Sequence, residues 1–333
     1  MADAKKTAKK SSSKKMRSRS SAKKNQPAAR YLRYEVTNSG SPNTETSHFI
    51  DLARDLSRVN RRLYRQGRDY HVKKITIVSS NTPNVGYADP ATVVNGARVS
   101  VSTIPYTWVS QMAWKRAFDQ WNRMNKEASA NLAGDITATW SDFKVYMSLD
   151  QRSGTMLEPK DNGGNLYDAG MWIYSQMVTP DGTTSADTFD LHMLGPHSGS
   201  VGAWNSVGLI RSYGESRATV QQGPNVPATA SDDPLVNVFD YGTTVDEVID
   251  DLEGQNDFPP YDTDEYPGDD TNGPKPAVVQ DTTLRDGSAT MAGFNAMCGL
   301  LELETKSPIA SDVFSVLVEL APGNYRGIKA DVI

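Results

Sequence analysis

Cysteine is almost absent: Cys298 stands alone, so the chain can close no internal disulfide and build no thiolate metal cluster. No uncharged apolar run approaches the ~18 residues a membrane-spanning helix needs. Although Lys and Arg open the sequence, no apolar segment follows them, so the start does not read as a secretory signal. Histidine is scarce, with His48, His71, His192 and His197 only. Most telling is a gap in positive charge: between Arg217 and Lys275 there is no basic residue, while positions 232–270 hold 14 acids.

The positive charge is gathered at the other end. The stretch KKTAKKSSSKKMRSRSSAKK, residues 5–24, has no hydrophobic period. Residues 1–33 carry 12 bases (Lys5, Lys6, Lys9, Lys10, Lys14, Lys15, Arg17, Arg19, Lys23, Lys24, Arg30 and Arg33) against Asp3 alone, a net +11. The other 300 residues sum to −16, and the whole chain to −5. Such asymmetry marks an arm and a body with different partners. The arm cannot bury enough apolar surface to offset its chain entropy, so residues 1–33 read as a disordered polyanion-binding segment. Fully extended, 30 residues at ~3.3 Å each reach ~100 Å.

The body, residues 34–333, is long enough for one large domain. Its 25 Gly, 18 Pro, 14 Tyr and 6 Trp favour a turn-rich β protein. SHFIDLARDLSRVNRRLYRQG (47–67) spaces Phe49, Ile50, Ala53, Leu56, Val59 and Leu63 by three and four, which predicts a helix capped by Ser47 and stopped at Gly67. Its other face carries Arg54, Arg58, Arg61, Arg62 and Arg65. These are either a solvated helix face or a second surface for backbone phosphates. Strands are expected at 70–80 and 97–105. A second helix follows over 107–127, whose stripe of Trp114, Ala117, Phe118, Trp121 and Met124 fits core packing better than base stacking.

From about residue 135, short β-like runs follow one another: ITATWSDFKVYMSL, GMWIYSQMVT, TFDLHMLG, SVGLIRSYG and RATVQQ, then MAGFNAMCGLLELE and DVFSVLVELAPG. No βαβ alternation or repeat is evident. Short strands with a few short inserted helices predict an all-β fold, a sandwich or jelly roll. Residues 229–275 form an acidic surface insertion, with a short helix in TTVDEVIDDLEG.

Catalytic patterns are missing. No phosphate-cradling Gly-x4-Gly-Lys-Ser/Thr loop occurs, and GESRA around Ser216 is only an echo of a nucleophile elbow. Asp190 and His192 share a strand face, which an ordinary hydrogen bond explains as well as catalysis does. DTDEYPG places Tyr266 and Pro267 where a calcium loop needs a ligand and glycine, leaving only an unconventional calcium site between subunits open. No cofactor, metal or enzymatic role is expected.

NVFDYGTTVDEVIDDLEGQNDFPPYDTDEYPG (237–268) and GFNAMCGLLELE (293–304) resemble stretches of capsid proteins from small circular, replication-initiator-encoding single-stranded DNA viruses, of circovirus-like type. RQGRDYHVKKITIVSSN (65–81) and RVSVSTIPYTWVSQMAWKRAFDQWNRMN (98–125) are similar to other parts of the same proteins. The resemblance implies a viral jelly-roll subunit that self-assembles, about sixty copies to a small T=1 icosahedral virion, with the basic arm turned inward onto the DNA. Many relatives have Arg-dominated arms. This one is mostly Lys, which neutralises phosphate as a point charge without the bidentate geometry of Arg.

The same basic run fits a nuclear localisation signal, with an import receptor as partner and the host nucleus as a station before the virion. No membrane insertion is expected. Two alternatives share the arm-and-body plan: a small RNA virus coat protein, and a cellular nucleic-acid-condensing protein with a basic tail.

Overall fold

The computed structural model describes residues 27–79, 96–130, 140–178, 188–200, 203–217, 277–284 and 287–333. Lys5 to Lys24, the acidic stretch with its expected helix and most of RATVQQ lie outside these residues.

In chain order the elements are β1 (Tyr31–Thr37), β2 (Glu45–Asp51), α1 (Leu52–Asn60), β3 (Arg68–Ser79), β4 (Arg98–Thr103), α2 (Trp108–Ser129), β5 (Tyr146–Ser148) and α3 (Leu149–Ser153). They continue with β6 (Gln176–Val178), β7 (Thr188–Leu194), β8 (Ser198–Ser200), β9 (Ala203–Gly208), α4 (Leu209–Arg217), β10 (Ala277–Thr283), β11 (Ser288–Met291) and β12 (Phe294–Met297). The chain closes with β13 (Leu300–Lys306), β14 (Val313–Leu320), β15 (Pro322–Gly323), β16 (Gly327–Ile328) and β17 (Ala330–Val332).

Strand dominates, in curled, mainly antiparallel sheets. One sheet runs β1-β14-β3-β11, with β12 and β17 also on β3; the other runs β10-β4-β13-β2. Alternating inward residues of the first (Leu32, Tyr34, Ile75, Ile77, Val316, Val318) and of the second (Ile50, Val99, Val101, Leu301, Leu303) share one core. Burying each such aliphatic side chain contributes about 1.5–3 kcal/mol.

Two glycines make the corners. At Gly293, between β11 and β12, an added Cβ would lie 2.6 Å from the Lys73 carbonyl oxygen. Gly299, at φ +69°, turns the chain from β12 in one sheet to β13 in the other, and a Cβ there would meet Tyr70 at 2.9 Å.

Between β4 and β10 the chain builds a second layer. Here α2 and α4 pack on a small sheet ordered β5-β7-β9-β8, with β6 on β7. The aromatic stripe of α2 is core: Trp114 stacks on Phe118 at 5.2 Å and meets Phe143 edge-on. Three expectations are corrected in this layer. β5–β7 and β7–β9 pair in parallel, so strand-to-strand crossovers do occur. SVGLIRSYG is strand only to Gly208 and helix after it. α2, at 22 residues, is not a short inserted helix.

The helix expected over 47–67 is also corrected. Residues 45–51 pair with β13 in full register, Glu45 opposite Lys306 and Asp51 opposite Leu300. The helix starts only at Leu52, capped by Asp51 rather than Ser47. The boundary at residue 33 moves as well: Tyr31 opens β1, and the Arg30 carbonyl accepts from the Leu320 amide at 2.9 Å. Arg33 thus belongs to the body.

β13 also carries charge that the sheet half-buries. The Glu302 carboxyl is pushed up to about 7 by burial, against a hydrogen bond from Ser47 and helped by nearby Glu304 and Asp150. Between about 4.5, its ordinary value, and 7, only the folded chain keeps this proton, so the stability it contributes is lost as pH rises through that window. Glu302→Gln should therefore melt a few degrees above wild type at pH 8 and level with it near pH 4.5. An offset independent of pH would show that the carboxyl is not destabilised by ionisation.

Candidate nucleic-acid interface

Of the seven described arginines of the sequence-based set, Arg30 sits at the root of the arm, where its carbonyl accepts from the Leu320 amide, and the other six fall into three groups. Arg54 is turned inward: its Nε donates to Asp55 Oδ1 at 2.8 Å, Nη2 reaches the Leu157 carbonyl, and the residue is 7% exposed. Burial works against its charge, but Asp55 and Asp51 outweigh it and hold the guanidinium protonated. It is an internal cation, not a phosphate contact. Arg58 pairs with Glu158 at 2.9 Å and Arg65 with Asp142 at 2.9 Å. Arg33 Nη1 lies 3.5 Å from the Asp161 carbonyl oxygen.

Arg61 and Arg62 remain at the surface end of α1. Arg61 takes a left-handed conformation, φ 51°, which terminates the helix, and its amide bonds back to the Ser57 carbonyl. Cations there offset the helix dipole. The arm leaves the body at the same place. The Ala29 amide donates to Asn60 Oδ1 at 2.7 Å, and Asn60 Nδ2 donates to the Ala29 carbonyl at 3.0 Å. Thus the last turn of α1 anchors the root of the basic segment.

These arginines border a cleft of about 1040 Å³ whose walls are aromatic, among them Trp121, Trp140, Tyr167 and Trp172. Trp140 is 68% exposed, and Met171 and Ile173 at the mouth are 87% and 65% exposed. Lys144 lies on the inner wall with Nζ 4.7 Å from the Trp172 ring centroid, and burial lowers its pKa. The combination of guanidinium groups and open ring faces is the chemistry that holds unpaired bases and their phosphates.

The wall is fixed from behind by two buried carboxylates. Asp51 caps α1 through the Arg54 amide at 3.0 Å and accepts from Gln66 Nε2, Trp172 Nε1 and the Tyr174 hydroxyl. Asp55 accepts from the Tyr34 hydroxyl at 2.7 Å besides Arg54. Burial pushes Asp55 up to about 6, against the pull of Arg54 and Tyr34.

Trp140, Lys144, Tyr167 and Trp172 were not among the sequence candidates. GMWIYSQMVT was expected as a strand, yet only Gln176–Val178 pairs; the four large residues 171–174 alternate, with Met171 and Ile173 outward and Trp172 and Tyr174 inward. Four bulky apolar residues in a row cannot all enter one core, and that was the available signal.

Asp190 and His192 do share β7 but not a partner. Asp190 pairs with Arg152 at 2.6 Å and accepts from Gln176. His192 is buried between the Ser206 hydroxyl and the Pro196 carbonyl, and burial lowers it to about 4. Among the described residues no group of three or more His, Cys, Asp or Glu is placed to hold a metal, and no helix is long and apolar enough to cross a membrane. No family model, curated protein or solved structure matches the chain.

Tyr34→Phe removes one donor from a buried carboxylate while keeping the ring. It should cost about 1–3 kcal/mol in urea unfolding. A loss under ~0.5 kcal/mol would mean that Asp55 does not depend on that hydroxyl.

Proposed function

We propose that the chain is the coat protein of a small single-stranded DNA virus. Its body is a viral jelly roll that tiles with copies of itself into an icosahedral shell, about sixty subunits in the simplest case. The arm, Lys5 to Lys24 with Arg30 at its root, draws in the genome by displacing counterions from phosphate, an effect strong in low salt and indifferent to sequence. Many arms in one interior couple assembly to condensation of the strand.

One observation carries this reading: the nesting of strand pairs. Take the sandwich strands in chain order, with β11 and β12 as one interrupted strand. The first pairs with the eighth (β1·β14), the second with the seventh (β2·β13), the third with the sixth (β3·β11/β12) and the fourth with the fifth (β4·β10), all antiparallel. That is one long hairpin folded over on itself, and β14·β3 and β13·β4 close its two halves into sheets. Such nesting supports the eight-stranded double Greek key. The net +11 on residues 1–33 supports an arm that grips polyanion, and the resemblance to circovirus-like capsids joins the two. The reading assigns no catalytic residue, cofactor or metal. It sends the protein to the virion, by way of an import receptor and the host nucleus that the basic arm would address.

Electron microscopy of full-length protein beside a chain beginning at Pro27 tests it. The cut belongs there because Ala29 and Arg30 bond to the body. Both forms should build closed shells, and only the full-length form should retain DNase-sensitive nucleic acid. Packaged material that yields to RNase instead would favour an RNA virus coat. Protein that binds DNA yet never closes a shell would favour a condensing protein and end the capsid reading.

A further inference from the structure

We propose that the cleft beside α1 is a second nucleic-acid site, one that takes unpaired bases of a single strand by stacking, with Trp140 as its principal platform. The proposal rests on the polyanion reading above and adds what the arm lacks, a way to tell single strand from duplex.

Three observations converge on this occupant. First, the cleft, about 1040 Å³, is at the upper end of the size of ligand sites, and its mouth is aromatic: Trp140 stands 68% exposed with no aromatic partner among the described residues. A solvent-facing indole at the lip of a concave site offers a ring face that any base can cover. Second, the charge suits phosphate. Arg61 is exposed on the rim and Arg62 lies beside it, while Arg58 is paired to Glu158 through its Nη1. Asp142 on the same wall is engaged by Arg65 and by the Gln66 amide, so it opposes an incoming anion less than a free carboxylate would, and the exposed Asp168 on the lining is outnumbered by Arg61 and Arg62. Third, the arm starts there. Ala29 is bonded to Asn60, one residue before Arg61. A strand held by the arm is therefore delivered to the cleft mouth without a search, at the high effective concentration of a short tether.

Duplex DNA cannot use the site, because its bases are already stacked and face inward. A polypeptide is the competing occupant: residues 255–270, QNDFPPYDTDEYPGDD, are acidic and aromatic and would also suit an arginine-rimmed, indole-lined cleft. The anchoring of the basic arm at the rim favours the polynucleotide, since the arm binds the same polyanion.

Binding of labelled oligonucleotides to unassembled full-length subunits tests the proposal. The probes are a twenty-nucleotide oligo(dT) and an abasic deoxyribose-phosphate strand of equal length and charge. Wild type should bind oligo(dT) about tenfold more tightly than the abasic strand, within the range expected for stacking on one aromatic side chain. Trp140→Ala should abolish that preference and leave abasic binding unchanged; Trp140→Phe should retain most of it. Arg61→Asn, which tolerates the left-handed backbone, should weaken both probes and flatten the salt dependence by about 0.7 in log–log slope. Equal affinity of wild type for the two strands, or an equal loss of both in Trp140→Ala, would overturn the proposal. So would displacement of oligo(dT) from wild type by a 255–270 peptide that fails to bind Trp140→Ala, which would assign the cleft to the acidic segment. Shell formation is not read in this assay. Shells without base preference sink the cleft alone, and base preference in a protein that never assembles sinks the capsid reading alone.

Discussion

Asp51 sits where the sandwich, the first helix and the aromatic wall of the cleft meet, and its carboxylate is buried. An ionised carboxylate taken out of water costs several kcal/mol unless its lone pairs are occupied. Here the Arg54 amide, Gln66, Trp172 and Tyr174 all donate to it. The requirement works in reverse on the surrounding chain. The last residue of β2 must be followed by a helix start, Gln66 must return to it, and the 172–174 segment must lie over it. Gln66 is bound in turn to the Val145 amide and carbonyl, which ties the second layer to the first. Leaving any one of these donors out would leave a buried charge short of a partner.

The same constraint separates what the sequence made legible from what it did not. Strands such as Arg68–Ser79 and Val313–Leu320 and the helix Trp108–Ser129 carry their period within one window, and each lies close to where the period places it. The segment 47–67 misleads because Phe49, Ile50, Ala53 and Leu56 fit a helical stripe, whereas residues 45–51 are held by β13 some 250 residues later. Long-range pairing overrode a local period. The parallel pairing of β7 with β5 and β9 was hidden for a related reason: these strands are three to seven residues long, too short to announce direction.

For the cationic residues, sequence gave a set and the fold divides it. Arg54 and Arg58 lie on the helix and Arg61 and Arg62 just past its end, and each helical residue is turned by about 100° from the one before. Arg54 consequently points to Asp55 and the Leu157 carbonyl, while Arg61, past the helix end, reaches the rim. Nothing in an arginine-rich run distinguishes the member that neutralises a buried acid from the member left for solvent. Burial of Asp55, 0% exposed, is what decides it. Trp140 and Trp172 escaped notice because aromatic residues in a β-rich chain are read first as core; Trp140 is largely exposed, whereas Trp172 is half-buried with its Nε1 on Asp51.

If the chain binds a single strand as proposed, the arm root beside the cleft would give it two grips of different physics. Lysines along residues 5–24 would act through phosphate charge, a hold that fades as added salt shortens the screening length from about 10 Å at 0.1 M to about 3 Å at 1 M. Stacking on an indole removes apolar surface from water and is nearly indifferent to salt. An acidic body of net −16 outside residues 1–33 repels polyanion in general, so a strand can settle on it only where local cations and ring faces outweigh that field. The rim of Arg61 and Arg62 with Trp140 offers such cations and a ring face, and its position at the foot of the arm means that, on the proposed reading, the repulsion would be overcome where the strand is already held.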